Sequence, residues 1–166
     1  MLKTISLATG IFLSTVSLSD EIQDEFAKID AMVEISQMYG RDQGIRQAWF
    51  YLHGKGFTLQ QIKDDPTLQA RVAEIDKDNV ATLKKIIEQH GWPGLRNFGP
   101  VTDRQAWILV QHADHDPDFQ EDVLRLLREE AQKDGTNPAN FAYLFDRVNI
   151  NKGKLQVYGT QGTCVT

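Results

Sequence analysis

Cysteine is almost missing: the chain has one, Cys164, close to its end. A single thiol excludes an intramolecular disulfide framework, and in a terminal stretch it suggests neither a zinc site nor a placed nucleophile. Positive charge is also in deficit. Eighteen Lys and Arg stand against 23 Asp and Glu, for a net charge of −5 and a pI near 5.3. A nucleic-acid binder needs a basic face to displace counterions, so that class is excluded, and no polybasic lipid-binding stretch occurs. No Gly-x-Ser-x-Gly elbow is present. No internal repeat or low-complexity tract interrupts the chain. Prolines number five, and three of them follow an Asp or Asn.

What remains is the composition of one globular domain: 166 residues, 41% hydrophobic and 25% charged. That length buries enough apolar surface without a disulfide or metal as a prop. An apolar run diluted by Thr and Ser spans Ile5 to Val16, preceded by Lys3 and followed by Ser17-Leu18-Ser19. This is the grammar of a secretory signal peptide cleaved before Asp20, too short for a membrane span, with a buried N-terminal helix as the plainer alternative. The expectation is a leader over 1–19, a single helical domain over 20–166 and a periplasmic or secreted protein. No Cys follows the run, which argues against a lipoprotein.

From Asp20, taken as an N-cap, Ile22, Phe26, Ile29 and Val33 recur with helical spacing. Gly40 and Gly44 are expected to punctuate this helix before a short one over Ile45–Leu52, and "HGKGFT" reads as a loop. Asp65-Pro66 is an N-cap followed by an N1 proline, opening a long helix with an apolar stripe of Leu68, Val72, Ile75, Leu83 and Ile86 and ending at Gly91. Asn79 interrupts that stripe, so its amide is expected to be buried and bonded outside its own helix. "GWPGLRNFGP" is a connector to a helix expected from Val101 to His115. Asp116-Pro117 and Asn137-Pro138 repeat the starting device for two more helices. The tail "KLQVYGTQ" alternates apolar and polar residues and suggests a short strand or hairpin arm. The fold expected is all-α, with one minor extended element near the C-terminus.

The polar residues that could carry chemistry fall on several elements. Asp76 and Asn79 share a helical face. Gln111, His112, Asp114 and His115 follow the apolar run "AWILV". Asp146 and Arg147 interrupt the aromatic run "FAYLFDRV", and Tyr158 and Gln161 flank Gly159. His112 and His115 at i, i+3 could share a metal with His90, Asp146 or Asp76, but no zinc-helix spacing occurs, and no metal or cofactor is assigned. Plain explanations cover some of these residues: Asp116 as an N-cap, His115 as helix-end surface, Asp146-Arg147 as a surface ion pair.

Five ordered motifs add a resemblance. "DKDN" (76–79), "HGWPG" (90–94), "AWILVQHADHDPDFQ" (106–120), "AYLFDRV" (142–148) and "QVYGTQ" (156–161) resemble the D-x-x-N, GWP, AWLLxQHAD, AYLxDRV and QxYGTQ signature of a bacterial domain-of-unknown-function family. The resemblance implies an all-helical domain, often in secreted or lipoprotein contexts, and carries no activity with it. Asp76, Asn79, Trp92, Gln111, His112, Asp114, Asp146, Arg147, Tyr158 and Gln161 occupy its motif positions. In that family an acidic, proline-containing segment usually follows YGTQ, where this chain has "GTCVT".

Polar motif residues on three helices and a tail most simply converge on one pocket, and three readings follow. In an enzyme of hydrolytic or acid–base type, His112 is the general base, Asp146 or Asp76 orients it, and Arg147, Gln111 and Tyr158 hold the substrate. In a binding protein the same set, with Asn79, Asp114 and Gln161, cradles a small polar or anionic ligand or a peptide end. In a structural module it is a buried polar network that fixes helix register. Substrate and oligomeric state are not legible.

Overall fold

The computed structural model describes residues 17–162. Cys164 and most of the expected leader lie outside them. Six helices carry the chain: α1 (Leu18–Gly54), α2 (Leu59–Asp64), α3 (Pro66–His90), α4 (Gly99–Gln111), α5 (Pro117–Ala131) and α6 (Pro138–Asn151). The fold is all-α, and no strand occurs among the described residues.

The helix starts obey local chemistry. Asp65 accepts from Leu68 N at 2.7 Å, Asp116 from Phe119 N at 3.1 Å and Asn137 from Ala139 N at 3.0 Å. Each cap satisfies an orphan N–H beside a proline that has none to lose. Thr58 and Gln61 form a reciprocal capping box for α2, a short helix that the sequence reading passed over.

Four expectations need correction. The cap of α1 is Ser17, not Asp20, which sits at N3 and closes the capping box. Ser17, Leu18 and Ser19, assigned by sequence to the leader, therefore open the helix. Gly40 and Gly44 do not break it: α1 runs unbroken for 37 residues. Each helical glycine costs about 1 kcal/mol relative to alanine, but Ile35, Met38 and Asp42 are wholly buried on either side of Gly40. Fully burying a side chain such as Ile or Met is worth about 1.5–3 kcal/mol, so packing overrides the local preference. The next helix stops at Gln111 rather than His115. Finally, the tail forms turns and bends, not a hairpin arm. The backbone N–H groups of Val157, Tyr158 and Thr160 go instead to the Asp146 carboxylate.

Within the core α1 lies along α3 and α4, and α5 pairs with α6. Ile35, Leu83, Leu109, Val123, Leu127 and Leu144 are at its centre. A buried polar knot ties the connector to both halves. The Asp103 carboxylate of α4 accepts from Trp92 Nε1 at 2.7 Å, Thr136 Oγ1 at 2.7 Å and Asn140 Nδ2 at 3.1 Å. By contrast, Ile22, Phe26, Ile29 and Val33 are exposed by 48, 61, 50 and 50%; the first apolar period of the sequence does not enter this core. No helix among the described residues is long and apolar enough to cross a membrane.

Candidate functional site

His112 is the C-cap residue of α4, at φ −90° and ψ 1°. Ending the helix there turns its imidazole toward α1, where Nδ1 lies 2.9 and 3.0 Å from the two carboxylate oxygens of Asp42. Asp42 is completely buried. One turn along α1, Arg46 donates to Asp42 at 2.6 Å and to both oxygens of Asp76 at 2.9 and 3.0 Å. The chain His112–Asp42–Arg46–Asp76 thus links α4, α1 and α3 through hydrogen-bonded ionisable groups. Among the described residues His112 Nε2 has no hydrogen-bond partner. Burial pushes the Asp76 carboxyl above its ordinary range, and the Arg46 guanidinium offsets only part of that push.

A second ion pair stands across the same opening. Arg147 of α6 grips Asp114, donating from Nε at 2.8 Å and Nη2 at 2.5 Å. Asn151 and Gln120 add bonds to the same carboxylate at 2.8 and 3.2 Å. Burial alone would raise the Asp114 pKa; Arg147, Asn151 and Gln120 outweigh it and hold the group low. The α4–α5 loop is therefore pinned to α6. Between the two ion-paired groups opens a cavity of about 270 Å³ bordered by Arg46, Asp76, Lys77, His112, Asp114 and Arg147, with His115 also at its edge.

Of the residues singled out from sequence, the fold brings Asp76, His112, Asp114 and Arg147 to this cavity, with His115 at its edge, and leaves the others elsewhere. Asn79 is buried, 2% exposed, as its stripe requires, but neither amide atom has the partner expected outside α3. Gln111 sits between α4 and α6, its carbonyl accepting from Leu144 N of α6 and from Trp107 Nε1 of its own helix at 3.2 Å each. The tail holds Tyr158 edge-on to Phe145 and Phe141. Gln161 reaches Tyr143 O at 3.1 Å and Arg147 Nη1 at 3.5 Å. No three His, Cys, Asp or Glu side chains cluster as a metal-binding set among the described residues.

The carboxylate on His112 is thus Asp42, and not Asp146 or Asp76. Sequence reasoning missed both Asp42 and Arg46. Their i, i+4 spacing was a usable signal for one helical face, but the helix break expected at Gly44 falls between them.

Asp146 has different work. Fully buried, it accepts from Val157 N at 2.7 Å, Tyr158 N at 3.0 Å, Thr160 N at 2.9 Å and Thr160 Oγ1 at 3.0 Å. Burial disfavours its charge, but these four donors prevail and bring its pKa to about 2. The unfolded carboxyl titrates near 3.9, so the bound tail is stabilised fully above about pH 4, and that stability is lost as pH falls toward 2. Hydrogen exchange should find the Val157, Tyr158 and Thr160 amides protected at neutral pH. Asp146→Ala should speed their exchange at least about tenfold, a loss of about 1.4 kcal/mol or more. Unchanged protection in the variant would contradict this anchoring.

The chain belongs to a family of unknown function, DUF6624, which matches residues 29–166. No curated protein and no solved structure matches it.

Proposed function

We propose that this DUF6624 protein is an acid–base enzyme of hydrolytic type, with His112 as its general base. The observation that carries the reading is the buried Asp42 carboxylate on His112 Nδ1 at 2.9 and 3.0 Å. A carboxylate there fixes the neutral imidazole with its proton on Nδ1 and leaves Nε2 as the acceptor. Nε2 takes a proton from water as the water oxygen attacks the substrate's electrophilic centre. The imidazolium so formed is stabilised by Asp42 and returns the proton to the departing group. Arg46 holds Asp42 in place, and Lys77 and Arg147 bring positive charge to the cavity edge, where charge develops in the transition state.

The binding reading keeps one observation of its own. Lys77 borders the cavity and has no ion pair among the described residues, which suits a small polar or anionic ligand. The two readings separate on one comparison. Hydrolysis is measured on nitrophenyl carboxylate and phosphate esters and on peptide anilides for the native protein, His112→Ala and His115→Ala. Removing the base should lower kcat/KM by about 10²–10⁴, while His115→Ala should change it less than about threefold. Equal losses from the two substitutions would remove the general-base role. Ligand-induced thermal stabilisation that survives His112→Ala, without turnover by the native protein, favours binding alone.

A further inference from the structure

The first half of α1 carries an apolar face that no other described residue covers. Leu18, Ile22, Phe26, Ile29 and Val33 are each between 48 and 72% exposed, and Met32 is 37% exposed. This is not the core face running on past the domain. At 100° per residue these side chains point roughly opposite to Ala31, Ile35, Met38 and Asp42, which are the residues α1 buries. From Leu18 through Asp30 no residue of α1 is buried. About three turns therefore stand clear of the core, a length that is marginal for an isolated helix in water. A shallow apolar cavity of about 310 Å³ lies along Leu18, Ile22, Phe26 and Ile29. The strip continues past Met32 and Val33 to Pro100 and Val101 at the start of α4.

The charge beside this strip identifies what fits it. Glu21 and Glu25 flank one edge, and Asp30 and Glu34 the other. The nearby Lys28 is already paired with Asp24 at 2.7 Å and Glu25 at 2.8 Å. A second copy of the same helix would set acidic edges against acidic edges in either direction, which costs specificity and affinity. An anionic lipid surface is disfavoured for the same reason. We propose that this face docks an amphipathic helix of another protein, apolar along one stripe and flanked by Lys and Arg. The surface is independent of the His112 cavity, so it is a partner site and not part of the reaction centre.

The test uses the full chain and two synthetic amphipathic helices of about five turns, identical at their apolar a and d positions, one with Lys and Arg at e and g and the other with Glu there. Fluorescence anisotropy should show the basic helix binding at least tenfold more tightly than its acidic twin, with the difference shrinking as salt rises. Phe26→Asp with Ile29→Asp should abolish that binding while leaving the circular dichroism melt nearly unchanged, because both side chains are exposed. Equal binding of the twins, or none, overturns the proposal. So does a dimer by light scattering that the double substitution dissolves, since a second copy would then occupy the strip. Tighter peptide binding after Phe12→Asp and Leu13→Asp would assign the strip to residues 1–16 instead. Loss of vesicle association in the double variant would assign it to lipid.

Discussion

Asp42→Ala is expected to abolish most turnover and to weaken the fold at the same time, whereas Asp42→Asn should separate the two effects. The alanine substitution leaves the Arg46 guanidinium with Asp76 alone and frees the His112 ring to rotate. Breaking a buried ion pair by deleting one partner costs about 3–5 kcal/mol. Loss of the oriented base should lower kcat/KM by about 10²–10⁴, the same loss expected of His112→Ala. Asparagine keeps the shape and can still accept one bond from Arg46, so its stability cost should be clearly smaller. Its amide N–H₂, however, offers Nδ1 a donor where the carboxylate offered an acceptor. The imidazole proton then shifts to Nε2, the atom that must be free, and activity falls although the side chains stay in place. Nitrogen chemical shifts of His112 read the tautomer directly, and a urea titration reads the stability. A fully active Asn variant with Nδ1 still protonated would show that the carboxylate does not act through the ring. This outcome would leave Asp42 as a structural anchor for Arg46.

The same site shows why some of the molecule was legible and some was not. Helix starts at Asp65, Asp116 and Asn137 were readable because cap and proline are neighbours in sequence, and their chemistry needs nothing from the rest of the chain. Gly40 and Gly44 misled for the converse reason. Their local cost is real, but it is overridden by Ile35, Met38 and Asp42 packing against helices far away in sequence. His112 stood out as a polar residue following an apolar run. Its partner lies 70 residues earlier, and no local pattern reports such a pairing. Periodicity has a similar blind spot. The spacing of Ile22, Phe26, Ile29 and Val33 correctly marks one apolar helical face, yet spacing does not say what covers that face, and here the core does not. Asp146 carried the opposite ambiguity. A carboxylate amid aromatic residues suggests catalysis or a surface pair, and it instead captures the backbone of the tail, whose alternating pattern reads as a strand only if its N–H groups remain available to a ladder.

A comparable loss of stability is expected where the fold is knotted away from the His112 cavity. Asp103 is 2% exposed and serves as acceptor for three side chains that come from different places: Trp92 in the connector, Thr136 before α6 and Asn140 within it. Thr136 and Asn140 are also bonded to each other at 3.1 Å, so the group acts as one network. Asp103→Ala leaves these donors buried with their acceptor gone. Each unsatisfied group costs about 1–3 kcal/mol, and because neighbouring losses are not additive the total should be about 4–5 kcal/mol. For a domain of this size that corresponds to a fall in Tm of about 10–15 °C. Asp103→Asn should cost less, since its carbonyl still accepts from Trp92 or Thr136, but its N–H₂ then meets the remaining donors. Both variants should retain native kcat/KM when measured well below their melting temperatures, because Asp103 does not border the His112 cavity. Thermal unfolding checks the first half and kinetics the second. A loss below about 1 kcal/mol would mean that the three donors find other acceptors at no cost, and a loss of activity without unfolding would tie the knot to the reaction centre after all.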